Sequence, residues 1–100
     1  MIRYKNCQIF RVEDREKILA TVDIETTSQL NVYSSFEDER YKEDKQMTAF
    51  IHETAYDLDK TGYNITVPNV GEFKITSFLK KQTNAGDFKK KYRYQLTLEG

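Results

Sequence analysis

The sequence has little of what most catalytic and metal sites are built from. Its 100 residues include one cysteine, Cys7, and one histidine, His52. A disulfide within the chain and a cysteine-rich zinc site are therefore excluded, and any metal site would consist mostly of carboxylates. The four glycines stand far apart, so there is no glycine-rich phosphate loop. We expect a protein that is not an enzyme and needs no metal or cofactor, with Cys7 as a small buried hydrophobe and His52 in a structural role.

Net charge and long apolar runs are also missing. Sixteen basic residues balance sixteen acidic ones, so bulk charge indicates neither a nucleic-acid nor a membrane partner. No segment has the apolar length of a signal peptide or a membrane span, which predicts a cytoplasmic chain. Apolar residues make up 38% and aromatic residues 13%, too many for a disordered chain. We therefore expect one folded domain over 1–100.

The first third alternates with the period of two that is typical of strands. Strands are predicted over 6–12 and 17–27, joined by the polar turn VEDRE, with a short third strand over 30–33. In the second strand Ile18, Ala20, Val22 and Ile24 share one face, which predicts a strand with one buried side.

The segment 47–58 is ambiguous, because its apolar residues fit both periods. We predict a strand to about His52 followed by one helical turn over 53–58. The alternative is an α+β fold with a single helix near 45–59.

The last forty residues alternate more clearly. They predict a strand over 63–67, a turn over 68–71 and a hairpin whose strands flank a tight turn at 84–86. In its first strand Phe73, Ile75, Ser77 and Leu79 share one face, and Lys74, Thr76, Phe78 and Lys80 share the other. In its last strand Phe88, Tyr92, Tyr94, Leu96 and Leu98 oppose Lys89, Lys91, Arg93, Gln95 and Thr97. The predicted fold is mostly β, a six- to seven-stranded barrel or sandwich with one short helical turn.

Asp57, Asp59, Thr61 and Gly62 resemble the opening of a calcium-binding EF-hand loop. The twelfth position of such a loop is a bidentate glutamate, but here it is Pro68, and a strand follows instead of a helix. We therefore interpret the two aspartates as solvated turn residues before a left-handed glycine.

Two charged segments are candidate interaction sites. The run 34–46 has five acids and three bases and predicts a mobile loop between strands. Its candidate contact residues are Phe36, Glu37, Asp38, Glu39, Arg40, Tyr41 and Lys42. The second segment, 80–100, has six bases and two acids, and the bases are Lys80, Lys81, Lys89, Lys90, Lys91 and Arg93.

Cations interleaved with rings are typical of a groove for single-stranded nucleic acid. The alternation, however, sends Tyr92 and Tyr94 to one face and the cations to the other, whereas a stacking platform needs both on one face. Phe78, which shares a predicted face with Lys74 and Lys80, is the exception. A charged edge that blocks strand addition or meets an acidic partner is the competing interpretation.

The order of elements in the second half resembles the small head–tail joining proteins of tailed bacteriophages, also called head-completion, stopper or connector proteins. The pattern runs through Phe50–Ile51, a helical turn over Ala55–Leu58, Gly62–Val67, the turn Pro68–Gly71, the F-x-I-x-x-F strand Phe73–Phe78 and the aromatic closing strand Tyr92–Leu98.

The resemblance implies a small β-barrel that performs no chemistry and forms a ring beneath the portal of the virion. Its partners would be copies of itself and portal or tail components, with the 34–46 loop contacting the next subunit and the basic hairpin facing the portal or DNA. The protein would then be assembled in the host cytoplasm into the virion. The alternatives are a β-barrel that binds single-stranded nucleic acid and a metabolic or regulatory domain with a ligand not evident from the sequence.

Overall fold

A computed structural model describes residues 1–30, 46–59, 62–83 and 90–100. They form a closed antiparallel barrel in which the strand order is β1-β2-β3-β6-β5-β4. The strands are β1 (Ile2–Arg11), β2 (Asp14–Thr26), β3 (Gln46–Thr54), β4 (Tyr63–Val67), β5 (Gly71–Gln82) and β6 (Tyr92–Glu99). The predicted mostly-β barrel is therefore confirmed, with six strands in the described part of the chain.

The barrel interior is filled by apolar side chains from all six strands and from the segments that flank β2 and β3. The best-buried large residues are Ile9, Ile24, Leu30, Ile51, Leu58, Tyr63, Ile65, Phe73, Ile75, Tyr94, Leu96 and Leu98. β4 and β6 alternate strictly between buried and outward-facing residues, as predicted, because one face of each strand meets the core. Cys7 is fully buried, which confirms its expected place.

Two bulges change the faces that strict alternation predicts. In β5 the pairing with β6 passes from Ile75–Leu98 to Ser77–Thr97, so Thr76 is an extra residue. After it, Phe78 packs against the core cluster while Leu79 is 69% exposed, the reverse of the predicted faces.

A similar irregularity occurs in the first hairpin. The pairing of β1 with β2 passes from Ile9–Ala20 to Phe10–Ile18, which leaves Leu19 as the extra residue. Ile18 is 42% exposed and Leu19 packs against the core cluster, so the predicted inward position of Ile18 is wrong.

The segment after β3 forms neither the predicted helical turn nor the longer helix. Gln46–Thr54 is a strand, and 55–59 contains no helix. The backbone groups here find other partners: the Leu58 amide donates to the Tyr94 hydroxyl at 2.8 Å, and that hydroxyl donates to the Tyr56 carbonyl at 2.8 Å. A buried side chain from β6 therefore satisfies groups that a helix would have bonded locally.

The turn between β4 and β5 forms where it was predicted. At Val67–Gly71 the amide of Val70 donates to the carbonyl of Val67, and Asn69 adopts a left-handed φ of 65°. The predicted strand at 30–33, apart from Leu30, the loop 34–46, apart from Gln46, and the turn at 84–86 lie outside the described residues.

The run of paired residues is shortest between β2 and β3. These strands are paired only at Glu25–Phe50 and Thr26–Ala49, whereas β3 and β6 are paired along most of their length. Beyond these two pairs the strands diverge, so the β1–β2 hairpin and the β3–β6–β5 sheet separate at one end of the barrel.

Candidate interaction surface

The predicted basic hairpin does not form one cationic surface. Lys80 lies at the end of the barrel, where its ammonium binds the Asp57 carboxylate and the Leu58 carbonyl and lies 5.3 Å from the centre of the Tyr92 ring. The Asp57 interaction raises the pKa of Lys80. Lys91 forms an ion pair with Glu53 at 3.5 Å. These two cations therefore serve contacts within the fold.

Three other members of the set face solvent. Lys81 and Arg93 are exposed and directly opposite each other on β5 and β6, and Lys90 is exposed just before β6. Among the described residues none of the three has an acidic partner. Like charges on directly opposite residues are unfavourable in a sheet. Lys81 and Arg93 therefore form a cationic pair that an anionic partner would stabilise. Lys89 lies outside the described residues.

Two apolar side chains, Phe50 and Leu79, lie near this pair. Gln95 is paired with Phe50 on one side and with Leu79 on the other, so the three side chains form a row across β3, β6 and β5. Together with Lys81 and Arg93 they line an open groove of about 360 Å³ on the outer surface of the sheet. We call these five residues the basic face. Sequence reasoning missed Leu79 because it did not anticipate the bulge at Thr76.

The aromatic rings of the hairpin within the described residues are not available to stack on bases. Tyr92 is 8% exposed and Tyr94 is 1% exposed, and both belong to the core cluster. Phe78 makes an edge-to-face contact with Tyr94 at 5.6 Å between ring centres. Rings and cations therefore lie on opposite faces of β6, as the alternation predicted, and Phe78 does not stand among the exposed cations.

The two aspartates of the EF-hand-like run are held by cations from different strands. Asp57 binds Lys80 of β5, while Asp59 accepts hydrogen bonds from the Tyr63 hydroxyl at 2.8 Å and from Arg11 of β1 at 3.3 Å. The hydrogen bond from Tyr63 lowers the pKa of Asp59. Both carboxylates stay half or more exposed, but they are paired and not simply solvated as expected. In the described part of the chain no three His, Cys, Asp or Glu residues cluster as a metal site would require.

A second groove, of about 530 Å³, lies where β2 and β3 diverge. Its acids are engaged: Asp23 binds Arg3 at 3.1 Å and the amide of Asn6 at 3.0 Å, and Glu25 contacts the imidazole of His52 at 3.0 Å. The amide of Asn6 lowers the pKa of Asp23, and the hydrogen bond from His52 lowers the pKa of Glu25. Carboxyl groups with lowered pKa values are ionised at neutral pH, so neither is tuned for general acid catalysis.

The candidate contact residues of the charged loop, Phe36 to Lys42, lie outside the described residues, and their role stays a prediction. Among the residues that the structure does describe, no helix is long and apolar enough to cross a membrane.

Comparisons with known proteins give no relative. No family model matches the sequence, no curated protein matches it significantly, and no solved structure matches it significantly.

Proposed function

We propose that the chain is a non-enzymatic assembly protein that acts through its outer surface, as a ring-forming component of a phage virion neck. The observation that carries the proposal is how the side chains are divided between the two sides of the barrel. The interior is filled by packed apolar residues, while two apolar side chains, Phe50 and Leu79, and two cations without acidic partners among the described residues lie together on the outer basic face. Such a surface suits contact with another protein better than the binding of a small ligand.

The connector interpretation rests on the order of the pieces that resemble the head–tail joining family. Gly62–Val67, Pro68–Gly71 and Phe73–Phe78 fall on β4, its turn and β5, and Tyr92–Leu98 falls on β6. One piece departs from the pattern, because 55–58 is not a helical turn. The partners under this proposal are copies of the same chain and portal or tail proteins of the virion, with DNA contact as a further element.

Binding of single-stranded nucleic acid is the second candidate. The observation in its favour is the same-sign pair Lys81 and Arg93, which would suit a phosphate backbone. The burial of Tyr92 and Tyr94 counts against it, because base stacking supplies much of the affinity of such grooves.

The test is the mass of the protein in solution, measured by light scattering behind a sizing column at low and moderate salt, with and without a fluorescent single strand. The assembly proposal predicts a species of ring size that the strand does not change. A monomer or dimer that binds the strand at low salt and releases it as salt rises would refute it and support the second candidate.

A further inference from the structure

A second charged surface lies at the turn of the first hairpin and carries the opposite sign. Glu13, Asp14 and Glu16 are exposed there, next to Val12, which is 48% exposed. We call these four residues the acidic tip. The sequence marked this run only as a polar turn.

The basic residue within the tip is directed elsewhere. The guanidinium of Arg15 forms an ion pair with Glu72 of β5 and lies 5.1 Å from the centre of the Phe10 ring. Its positive charge is therefore neutralised mainly by Glu72 and not by the acids of the tip. Of the neighbouring bases, Lys17 is exposed and reduces the negative charge of the tip without cancelling it.

The acidic tip belongs to the β1–β2 hairpin, and the basic face is centred on β6, which is not a neighbour of β1 or β2 in the barrel. Around the closed barrel, β6 at the centre of the basic face is three strands from β1 in either direction. The pairing within the barrel brings no residue of the tip next to the face, so a contact between them would join two copies. Two copies can make this contact, since the surfaces are complementary in charge and each offers an exposed aliphatic side chain, Val12 on one and Leu79 on the other.

We propose that the acidic tip of one copy docks into the groove of the basic face of the next copy, with Glu13 and Glu16 opposite Lys81 and Arg93 and Val12 against Leu79. Because the two surfaces differ, the contact is head-to-tail, and repeating it gives a ring if the rotation closes. This inference rests on the proposed assembly function and names the surfaces by which copies join.

Charge reversal on each side gives the test. The variants are K81E/R93E on the face and E13K/E16K on the tip, both in the full chain. Each places like charges across the contact, so we expect the association constant to fall at least about tenfold, measured by sedimentation velocity over a concentration series. The matched control is K5E/K74E, which makes the same change in net charge as K81E/R93E at exposed positions of β1 and β5 outside both surfaces, and it should assemble like the parent protein.

Mixing the two reversed variants separates a lost contact from a lost fold. In the mixture, the basic tip of E13K/E16K can contact the acidic face of K81E/R93E. The unchanged acidic tip of K81E/R93E can likewise contact the unchanged basic face of E13K/E16K. We therefore expect an equimolar mixture to recover assemblies of the parent size with the two variants alternating, at concentrations where each variant alone associates at least about tenfold more weakly than the parent.

Three results would overturn this interface. Assembly that neither reversal weakens would place the contact on another surface and leave the proposed function standing. If the two variants do not assemble alone and also do not assemble when mixed, the pairing of these surfaces is contradicted. A parent chain that stays monomeric at every concentration and binds a fluorescent single strand through Lys81 and Arg93 would refute both the interface and the assembly function.

Discussion

The hydroxyl of Tyr94 provides a sharp test of how the segment 55–59 is held. This single group accepts a hydrogen bond from the Leu58 amide and donates one to the Tyr56 carbonyl, both at 2.8 Å. Tyr94 and Leu58 are each 1% exposed, and burial raises the pKa of the Tyr94 phenol, so it stays protonated and able to donate. Replacing Tyr94 by Phe keeps the ring in the core and removes only these two bonds.

The expected cost follows from the groups left behind. A buried backbone group without a partner costs about 1–3 kcal/mol. Leu58 is buried, so its amide should bear this cost in full, whereas Tyr56 is only half-buried and its carbonyl should bear less. We therefore expect Tyr94→Phe to lower the free energy of unfolding by about 2–4 kcal/mol. At about 4–8 °C per kcal/mol for a domain of this size, Tm should fall by roughly 8–32 °C.

The assay is urea unfolding followed by circular dichroism, with two other tyrosines as matched controls. Tyr4→Phe removes one hydrogen bond, from the Leu30 amide at 2.9 Å, and should cost about 1–2 kcal/mol. Tyr92→Phe removes only a 3.4 Å contact with the exposed Asp57 and should cost less than about 1 kcal/mol. Hydrogen exchange at the Leu58 amide should also accelerate in the Tyr94 variant. If Tyr94→Phe costs no more than Tyr92→Phe, the hydroxyl does not hold this segment.

Three further predictions concern single residues. Burial raises the pKa of the Cys7 thiol from 9.0 to about 11, so the contribution of the protonated thiol to stability is complete below pH 9 and is lost as pH rises towards 11. Cys7→Ala should therefore reduce the fall of the urea midpoint at alkaline pH. The hydrogen bond from Tyr63 lowers the pKa of Asp59 below 3.8, so the contribution of Asp59 to the free energy of unfolding is present above that pH and is lost on further acidification. Asp59→Asn should therefore reduce the loss of stability in acid, and an unchanged loss would contradict the contact. Gly62 has a φ of 107° with open space around it, so Gly62→Ala should cost about 1 kcal/mol through backbone strain alone, whereas Asn69→Gly, at a φ of 65°, should be close to neutral in the same thermal melt.

The strands were predictable where local pattern and tertiary position agree. In β6, Tyr92, Tyr94, Leu96 and Leu98 alternate with polar residues, and all four are buried. The turn between β4 and β5 was equally readable, because proline, asparagine and glycine each suit a turn for a local reason. The number of strands in a short chain predicted a barrel or a sandwich, since every edge needs protection, and the structure is the closed barrel.

A strict period of two could not predict which residues face the core beyond each bulge. A signal was nevertheless present: in both cases two adjacent apolar residues interrupt the alternation, Ile18–Leu19 and Phe78–Leu79. One of each pair packs against the core and the other faces solvent. Because a bulge depends on the partner strand as well as on its own sequence, the pair indicates that a shift occurs but not which member turns inward.

The predicted helical turn after β3 was wrong for a different reason. Its helical spacing was real, but helices of one turn have little stability of their own and depend on tertiary contacts. Here the Tyr94 hydroxyl, far away in the sequence, satisfies the backbone instead. A long-range contact of this kind leaves no mark within the segment itself.

The candidate surface depends on one of these irregularities. Without the extra residue Thr76, Leu79 and Lys81 would share the inward face of β5, and the outer groove would lose both its aliphatic residue and one of its two cations. The bulge also turns Lys80 towards Asp57 at the barrel end, where it stabilises the fold and cannot serve a partner at the same time. The division of the five described basic residues into those with partners in the fold and those without is therefore set by register and not by composition. For this reason a test of partner binding should reverse Lys81 and Arg93 together and leave Lys80 unchanged.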